Sequence, residues 1–313
     1  MIARAPGKLV LSGAYSVLEG AVAIVCSVDL HAQADTSAPP DRVTAEVAEA
    51  IAAGVMRAAP WFDATPLRAR LSDGRDIKLG VGSSAAILAA SMAADWAESG
   101  RPLDRDALFE ASLAAHRKAQ GGGSGIDVAA SVHGGFLTCT LAPDGRLTVA
   151  PHTFPGAAHI HVFATPVAAS TPELLGRVRA FAAKDPPAYA DLIGRAGSAA
   201  AEAAAAADLP SLLRALRTQS GALSALGDVS GAPIFTPDVI ALAPLAEAEG
   251  AVFYPSGAGG GDVALFVGAA PPSPRFLAEA KAFSRFPLPL ATGVPGVHLV
   301  STRSPSAAAQ VTL

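Results

Sequence analysis

The chain has 313 residues, of which 51% are hydrophobic, and carries a formal net charge of −4. This length suits one large domain or two medium domains. No apolar run reaches the roughly 18 residues of a membrane span, so we expect no transmembrane helix and no membrane partner. A nucleic-acid partner is also not expected, because aromatic residues make up only 5% of the chain and no basic block occurs.

The N-terminus and the cysteines indicate a cytoplasmic protein. Arg4 and Lys8 precede an apolar stretch, as in a secretory signal, but Pro6-Gly7 and later polar residues interrupt it. We therefore expect no signal peptide. Cys26 and Cys139 lie in apolar, strand-like runs, and this setting predicts buried free thiols in a reducing compartment.

The first elements in chain order are strands. Residues 2–5 and 9–11 predict short strands that Pro6-Gly7 separates, and the Val- and Ile-rich residues 21–29 predict a buried strand. Helical spacing over 41–58 predicts a helix with Asp41 as its N-cap, and residues 67–71 predict another strand. Lys8 lies between two strand segments, where a lysine is ordinarily a surface residue.

A glycine- and serine-rich stretch, Lys78-Leu-Gly-Val-Gly-Ser-Ser-Ala-Ala-Ile-Leu88, leads into an apolar run. We predict a tight loop that opens a helix at Ser83–Ser84. The free N–H groups of a helix start, beside glycines that let an anion approach, would form a phosphate cradle. Two alternatives are an ordinary loop before a buried helix and a G-x-G-x-x-A dinucleotide fingerprint. The polar residues 98–106 stand where the second strand of a dinucleotide fold should end, which argues against the fingerprint.

A second glycine-rich stretch follows a predicted helix over 105–120. Residues 121–125 read Gly-Gly-Gly-Ser-Gly, and Asp127 comes just before Val128-Ala-Ala130. Asp127 could be an N-cap for residues 128–131. It could equally be a catalytic carboxylate that the following apolar segment holds in place. Residues 134–141 then predict a strand.

The second half of the chain has a strand, a helical region and a third glycine-rich stretch. Residues 159–165 predict the first strand of a second domain. Helices are predicted over 172–183, 189–207, 210–226 and 237–250. Tyr254-Pro-Ser-Gly-Ala-Gly-Gly-Gly-Asp262 then enters a predicted strand over 263–267, and residues 297–301 predict a last strand.

Taken together, the three stretches resemble the motifs of the GHMP small-molecule kinase family. They are Pro6-Gly-Lys-Leu-Val-Leu-Ser-Gly13, Leu79-Gly-Val-Gly-Ser-Ser-Ala-Ala86 and Ser256-Gly-Ala-Gly-Gly-Gly261, in the family's order. The resemblance implies a two-domain α/β (α+β) fold. An N-terminal ribosomal-S5-like α/β domain would span 1–150, a C-terminal ferredoxin-like domain would span 151–313, and the site would lie in the cleft between them.

The resemblance also implies an ATP-dependent kinase that uses Mg²⁺ and acts on a small molecule. Lys8 and Asp127 would be the catalytic residues, and Ser84 would lie near Mg²⁺. The implied ATP-binding residues are Lys78, Gly80, Gly82, Ser83, Ser84 and Ala85. The implied substrate-binding residues are Lys8, Tyr15, Arg117, Ser124, Ser256, Gly257, Ala258, Gly259 and Gly260.

Within the family, the motifs are most similar to those of the branch that phosphorylates phosphomevalonate to diphosphomevalonate. Mevalonate, homoserine or a sugar remain alternative acceptors, and a GHMP-fold protein without catalysis remains a third possibility. The chain departs from family patterns at Ala14-Tyr15, at Tyr254 and at His116, where mevalonate kinases carry a metal-binding glutamate. The sequence leaves a monomer and a homodimer equally open.

Overall fold

The computed structural model describes residues 1–71, 73–167, 170–303 and 311–312. The strands are β1 (Ile2–Ser12), β2 (Val22–Asp35), β3 (Trp61–Asp63), β4 (Arg68–Arg70), β5 (Asp76–Lys78), β6 (Phe136–Leu141), β7 (Leu147–Pro151), β8 (His159–Ala164), β9 (Val252–Pro255), β10 (Val263–Gly268), β11 (Phe286–Leu288), β12 (His298–Val300) and β13 (Val311–Thr312). The α-helices are α1 (Ala45–Ala52), α2 (Ser83–Glu98), α3 (Arg105–Gln120), α4 (Ile126–His133), α5 (Thr171–Lys184), α6 (Pro186–Ala204), α7 (Leu209–Ser230), α8 (Pro237–Ala248) and α9 (Pro274–Ala282). Short 3-10 helices occupy Ser16–Glu19 and Thr65–Leu67. None of the helices in these ranges is both long and apolar enough to cross a membrane.

The chain forms two compact units that alternate along the sequence. The first unit contains Met1–Leu9, Val25–Leu137 and Ala291–Thr312, and the second contains Val10–Ile24 and Thr138–Leu290. The sequence predicts a single domain boundary after residue 150. Compact units need not coincide with domains, so that boundary stays a prediction.

The first unit combines short strand pairings with a helical layer. Strand β1 pairs antiparallel with β12, and β2 pairs antiparallel with β3. Strands β4 and β5 form an antiparallel pair, which β13 extends in parallel. Helix α2 is buried from Ala85 to Trp96. Its sequence is almost entirely apolar, so α1, α3 and α4 can all pack against it.

Strand β1 corrects the predicted break at Pro6-Gly7, because it runs without interruption from Ile2 to Ser12. Neighbouring loops supply the contacts that hold this stretch. The carbonyl of Pro6 accepts a hydrogen bond from the Ser131 hydroxyl (2.8 Å), and the N–H of Lys8 donates to the Val81 carbonyl (2.8 Å). A Cβ on Gly7 would lie 2.7 Å from that same carbonyl oxygen. Glycine is therefore needed here because the Val81 carbonyl lies so close to the backbone, and not because the chain turns.

Helix α1 is shorter than predicted. The sequence gives a helix over 41–58 with Asp41 as N-cap, but the helix spans Ala45–Ala52, and Thr44 is its N-cap. The Thr44 hydroxyl accepts a hydrogen bond from the Val47 N–H (3.3 Å). Gly54, with a φ of +70°, follows the last turn. A left-handed glycine is a common helix stop, so the apolar spacing beyond it does not continue the helix.

The second unit has its own antiparallel sheet, with strand order β11-β8-β10-β9. Phe163, Phe253, Phe266 and Phe276 pack edge to face beneath this sheet, with ring centroids 4.9–5.6 Å apart. A second apolar cluster joins α5, α6 and α7, and Tyr15 is part of it. Strands β6 and β7 follow one another in this part of the chain, and the Thr138 hydroxyl contacts the Ala150 carbonyl.

The helical region of the second half is confirmed, since α5, α6, α7 and α8 occupy the predicted stretches. Helix α9 and the short strands β3, β5, β7, β9 and β11 were not predicted. Both cysteines are free and buried, as expected. Burial raises the pKa of each thiol to about 12.

The Gly7 contact gives a stability prediction. Gly7→Ala should lower the free energy of unfolding by about 1–3 kcal/mol, because the new methyl group has to displace the Val81 carbonyl. Urea denaturation followed by circular dichroism measures this change. Gly221→Ala is the matched control, since this helical glycine in α7 has open space around it, and alanine there should stabilise by about 0.5–1 kcal/mol. Equal effects of the two substitutions would contradict the close approach at Gly7.

Candidate active site

The start of α2 is a half-buried set of backbone donors. Gly82 is its N-cap in the left-handed conformation, and no side chain of the described residues caps this end. Gly80 is also left-handed, with a φ of +70°. The first N–H groups of a helix lack intrahelical acceptors and carry partial positive charge. The predicted loop and the predicted helix start at Ser83 are both confirmed.

The Lys8 side chain lies along this loop. Its Nζ donates to the carbonyl of Gly80 (3.1 Å). A Cβ on Gly82 would lie 2.8 Å from Cγ of Lys8, so glycine at this position makes room for the lysine stem. The ammonium group is therefore held beside the loop. Lys8 is not the ordinary surface lysine that its position between two predicted strands suggested.

Asp127 is the second residue of α4 and lies in the first turn of this helix. Gly125 is the N-cap of α4, so the alternative that Asp127 caps the helix is wrong. One carboxylate oxygen, Oδ1, accepts a hydrogen bond from the Val128 N–H (3.0 Å). The other oxygen, Oδ2, lies 3.4 Å from Nε2 of His116. The Asp127 side chain is 22% exposed and remains open to a ligand.

His116 joins this carboxylate to the start of α2. Its Nε2 lies 3.4 Å from the hydroxyl oxygen of Ser84 as well as 3.4 Å from Asp127. A hydrolytic Ser-His-Asp triad uses opposite nitrogens of the imidazole for the serine and the aspartate. In this arrangement both neighbours share one nitrogen, so the geometry does not support that chemistry.

The glycine-rich loop before α4 is fastened by Arg117. The Arg117 guanidinium donates to the carbonyls of Gly123 (3.2 Å) and Ser124 (3.0 Å). Burial lowers the pKa of Arg117 from its usual value. The neighbouring Lys118 pairs with Glu49 on α1 (2.8 Å). The predicted binding of substrate by Arg117 and Ser124 stays a prediction, and the structure gives Arg117 a local role in shaping this loop.

In the second unit, Tyr15 connects the first and third sequence motifs. Its hydroxyl donates to the Ala258 carbonyl (2.6 Å), and its backbone has a positive φ of +61° with a ψ of −53°. The Ser16 N–H donates to the Ala14 carbonyl (2.7 Å), which closes a strained γ-turn around Tyr15. The buried ring and its engaged hydroxyl fasten the glycine loop, and burial raises the pKa of Tyr15.

The same loop is held at several further points. The Ser256 hydroxyl bonds to both backbone groups of Val10 (3.0 and 3.1 Å). A Cβ on Gly259 would lie 2.1 Å from the Ile234 carbonyl oxygen. The Thr165 hydroxyl donates to the Gly261 carbonyl (2.6 Å). The third motif is therefore a fixed loop despite its glycine content.

Arg285 is a residue that the sequence analysis missed. It is 1% exposed, donates to the Asp238 carboxylate and to the Thr236 hydroxyl, and interacts electrostatically with Asp262. Burial lowers its pKa, and the two carboxylates oppose that shift. Asp262 directly follows the third motif, so Arg285 links the end of this loop to α8 electrostatically. The only available sequence signal was the acidic residue directly after the loop, and it does not by itself specify a buried cation.

The predicted site residues divide between the two units. The first unit brings together Lys8, the loop over 80–85 and Asp127, with His116 as an additional member. Arg117 and Ser124 lie in the same unit, and Lys78 is exposed at the end of β5. The second unit holds Tyr15, Ser256, Gly257, Ala258, Gly259 and Gly260. The expected cleft between the two sets of residues stays a prediction.

Comparison with known proteins finds a family match over part of the chain and two relatives at low identity. Residues 45–135 match the model of the GHMP kinases N terminal domain. A phosphomevalonate kinase of Streptomyces sp. (strain CL190) is 28% identical over 335 residues, which cover 85% of this chain and 89% of that protein. A mevalonate kinase of Archaeoglobus fulgidus is 29% identical over 165 residues, covering 49% of this chain and 57% of that protein.

A solved structure has the same fold. The Streptococcus pneumoniae phosphomevalonate kinase, in complex with phosphomevalonate and AMPPNP, superposes with a TM-score of 0.74 at 18% identity over 93% of this chain and 99% of that one. The N-terminal domain match and these relatives show that the chain resembles the GHMP kinases, phosphomevalonate kinase among them, and they support an ATP-dependent small-molecule kinase.

Proposed function

We propose that the chain phosphorylates phosphomevalonate to diphosphomevalonate with ATP, in the mevalonate route to isoprenoids. The observation that carries this proposal is the position of the Lys8 ammonium on the glycine loop at the start of α2. The 28%-identical phosphomevalonate kinase supports the choice of acceptor. The two buried free thiols support a cytoplasmic location.

The phosphates of ATP are assigned to the loop at the start of α2. Phosphoryl transfer depends mainly on alignment and on neutralisation of charge. The backbone N–H groups of Ser83, Ser84 and Ala85 would bind phosphate oxygens, because a helix start favours anions. Lys8 would neutralise charge on the transferring phosphoryl group, which is a task for a compact point charge.

Mg²⁺ fits the oxygen donors of this site. Protein-bound Mg²⁺ uses one or two carboxylates, phosphate oxygens and water. The Ser84 hydroxyl and the Asp127 carboxylate each lie 3.4 Å from Nε2 of His116, so these two oxygen donors are close to one another. No group of three or more His, Cys, Asp and Glu side chains in the described ranges forms a metal cluster, here or at another position, so the remaining ligands of an ion would be phosphate oxygens and water. When bound, the ion would supply positive charge to the nucleotide phosphates.

The acceptor decides what Asp127 has to do. A hydroxyl acceptor needs a base within hydrogen-bond reach at neutral pH. A phosphate monoester has a second pKa of about 6, so it is mostly ionised at pH 7 without help. For phosphomevalonate, Asp127 would therefore orient the acceptor and Lys8 and would contribute little as a base.

The acceptor itself is assigned to the substrate residues named from the resemblance. Because the hydroxyls of Tyr15 and Ser256 are engaged with backbone groups, we assign these two residues to shaping the loop over 257–260. Arg117 would act in the same way on the loop over 121–125.

A second candidate acceptor is mevalonate. The 29%-identical mevalonate kinase favours it, and the same loop and lysine would serve a hydroxyl acceptor. The mechanism would then require Asp127 as a general base. The two candidates differ in an observable property, which is the dependence of turnover on the Asp127 carboxylate.

Acceptor specificity is tested by ADP release from Mg-ATP. The assay is run in parallel with mevalonate, phosphomevalonate and diphosphomevalonate. We expect turnover with phosphomevalonate at least tenfold above the other two acceptors. Turnover with mevalonate alone would transfer the proposal to the second candidate. ADP release that no acceptor stimulates would overturn the proposed function.

The role of Asp127 gives a second prediction. Asp127→Asn should reduce kcat with phosphomevalonate by roughly tenfold or less. With a hydroxyl acceptor, loss of a general base should reduce it by about 10²–10⁴-fold. Steady-state kinetics with both acceptors measure the difference, and Asp191→Asn, an exposed position on α6, is the control. Losses of equal size on both acceptors would show that Asp127 acts as a base in either case.

The loop conformation gives a third prediction. Gly82→Ala should raise the Kd for ATP at least tenfold, because alanine is strained at a φ of +77° and its methyl group displaces Lys8. Isothermal titration calorimetry measures the Kd. Gly74→Ala is the control, since Gly74 has a φ of +85° and open space around it. If both variants bind ATP like the wild type, the phosphates do not lie on this loop.

A further inference from the structure

We propose that His116 is a positioning residue, which holds the Asp127 carboxylate in one orientation against the start of α2. This inference rests on the proposed function, because the orientation matters only if Asp127 faces the acceptor. From the sequence, position 116 is notable only because it lacks an acidic residue. The geometry points to a function for the imidazole itself, which is to hold the Asp127 carboxylate in place.

The first step is the arrangement of three helices around one nitrogen. His116 extends from the last turns of α3, Ser84 opens α2, and Asp127 lies in the first turn of α4. Nε2 of His116 lies 3.4 Å from the Ser84 hydroxyl and 3.4 Å from the Asp127 carboxylate. The imidazole side chain is only 9% exposed. A buried polar ring needs partners, and these two residues provide them.

The second step is the direction of the hydrogen bonds. A nitrogen lone pair facing a carboxylate would repel it, so Nε2 carries the hydrogen and presents it toward Oδ2 of Asp127, 3.4 Å away. The Ser84 hydroxyl can accept from the same N–H. His116 thus places an N–H group beside the Asp127 carboxylate.

The third step is the restraint on both oxygens of Asp127. Oδ1 accepts from the Val128 N–H (3.0 Å), and Oδ2 faces His116. With one contact on each oxygen, rotation of the carboxylate would break at least one of them. The side chain is still 22% exposed, so a ligand can reach a carboxylate whose orientation is already set. Such preorganisation lowers the barrier only when the contacted group takes part in the reaction.

The test compares two substitutions of similar size. His116→Gln keeps an N–H donor at nearly the reach of Nε2, whereas His116→Met fills the space without a donor. We expect His116→Met to lower kcat with phosphomevalonate roughly three- to tenfold, and no more than Asp127→Asn does, because His116 acts through that carboxylate. The KM for ATP should change less than about threefold. His116→Gln should retain kcat within about twofold.

A double-mutant cycle identifies the partner through which His116 acts. In an Asp127→Asn background, His116→Met should cause little further loss of kcat, because the carboxylate it orients is already gone. His133→Gln on α4 is the matched control, since this histidine contacts Phe109 and Asp106 instead of the site residues. Its kcat should stay within about twofold of the wild type.

Several results would overturn the inference. One is a wild-type kcat in His116→Met. Another is an equal loss of kcat in His116→Met and His116→Gln that parallels an equal drop in their melting temperatures. Full additivity with Asp127→Asn is a third. If the wild type is inactive with every acceptor, the proposed function fails separately, and the same cycle is measured by urea unfolding. Coupling between positions 116 and 127 would then support the positioning contact, and additivity would reject it.

Discussion

The structure depends on the way in which the first turn of α2 is left without a side-chain cap. Two left-handed glycines, Gly80 and Gly82, turn the chain into the helix without placing any Cβ over the donors. An apolar α2 can then be buried for nearly its whole length while its first turn faces outward. Burial fixes the helix, and the fixed helix orients the N–H groups, so packing and the proposed binding of ATP phosphates depend on the same stretch.

Charge is distributed around this helix start in an ordered way. The Lys8 side chain packs against Gly82 and places its ammonium group beside the N–H groups at the start of α2. Asp127 adds one carboxylate, and the neighbouring His116 supplies a donor in place of a second negative charge. Two carboxylates at such a distance would repel each other and any anionic ligand. This charge balance supports the proposed function, in which both the nucleotide and the acceptor carry negative charge.

The sequence predicted the parts of this arrangement that depend on local patterns. The loop before α2, the helix α3 and the helical region from α5 to α8 follow from glycine placement and apolar spacing. The break at Pro6-Gly7 and the long α1 were wrong, because contacts from Val81 and the Thr44 cap override local preference. The role proposed for His116 and the contacts of Arg285 depend on partners 11 to 49 residues away, which no local pattern specifies.

The third motif shows why glycine content does not measure mobility. Its glycines allow a left-handed backbone and close contacts with neighbouring backbone, as between Gly259 and Ile234. Hydrogen bonds from the hydroxyls of Tyr15 and Thr165 then hold the carbonyls of this loop in place. Tyr15 itself sits in a strained γ-turn, which costs about 1–3 kcal/mol and persists only when the surroundings enforce it. The apolar cluster of α5, α6 and α7 enforces it here, so the helices that pack around Tyr15 also determine the shape of the loop.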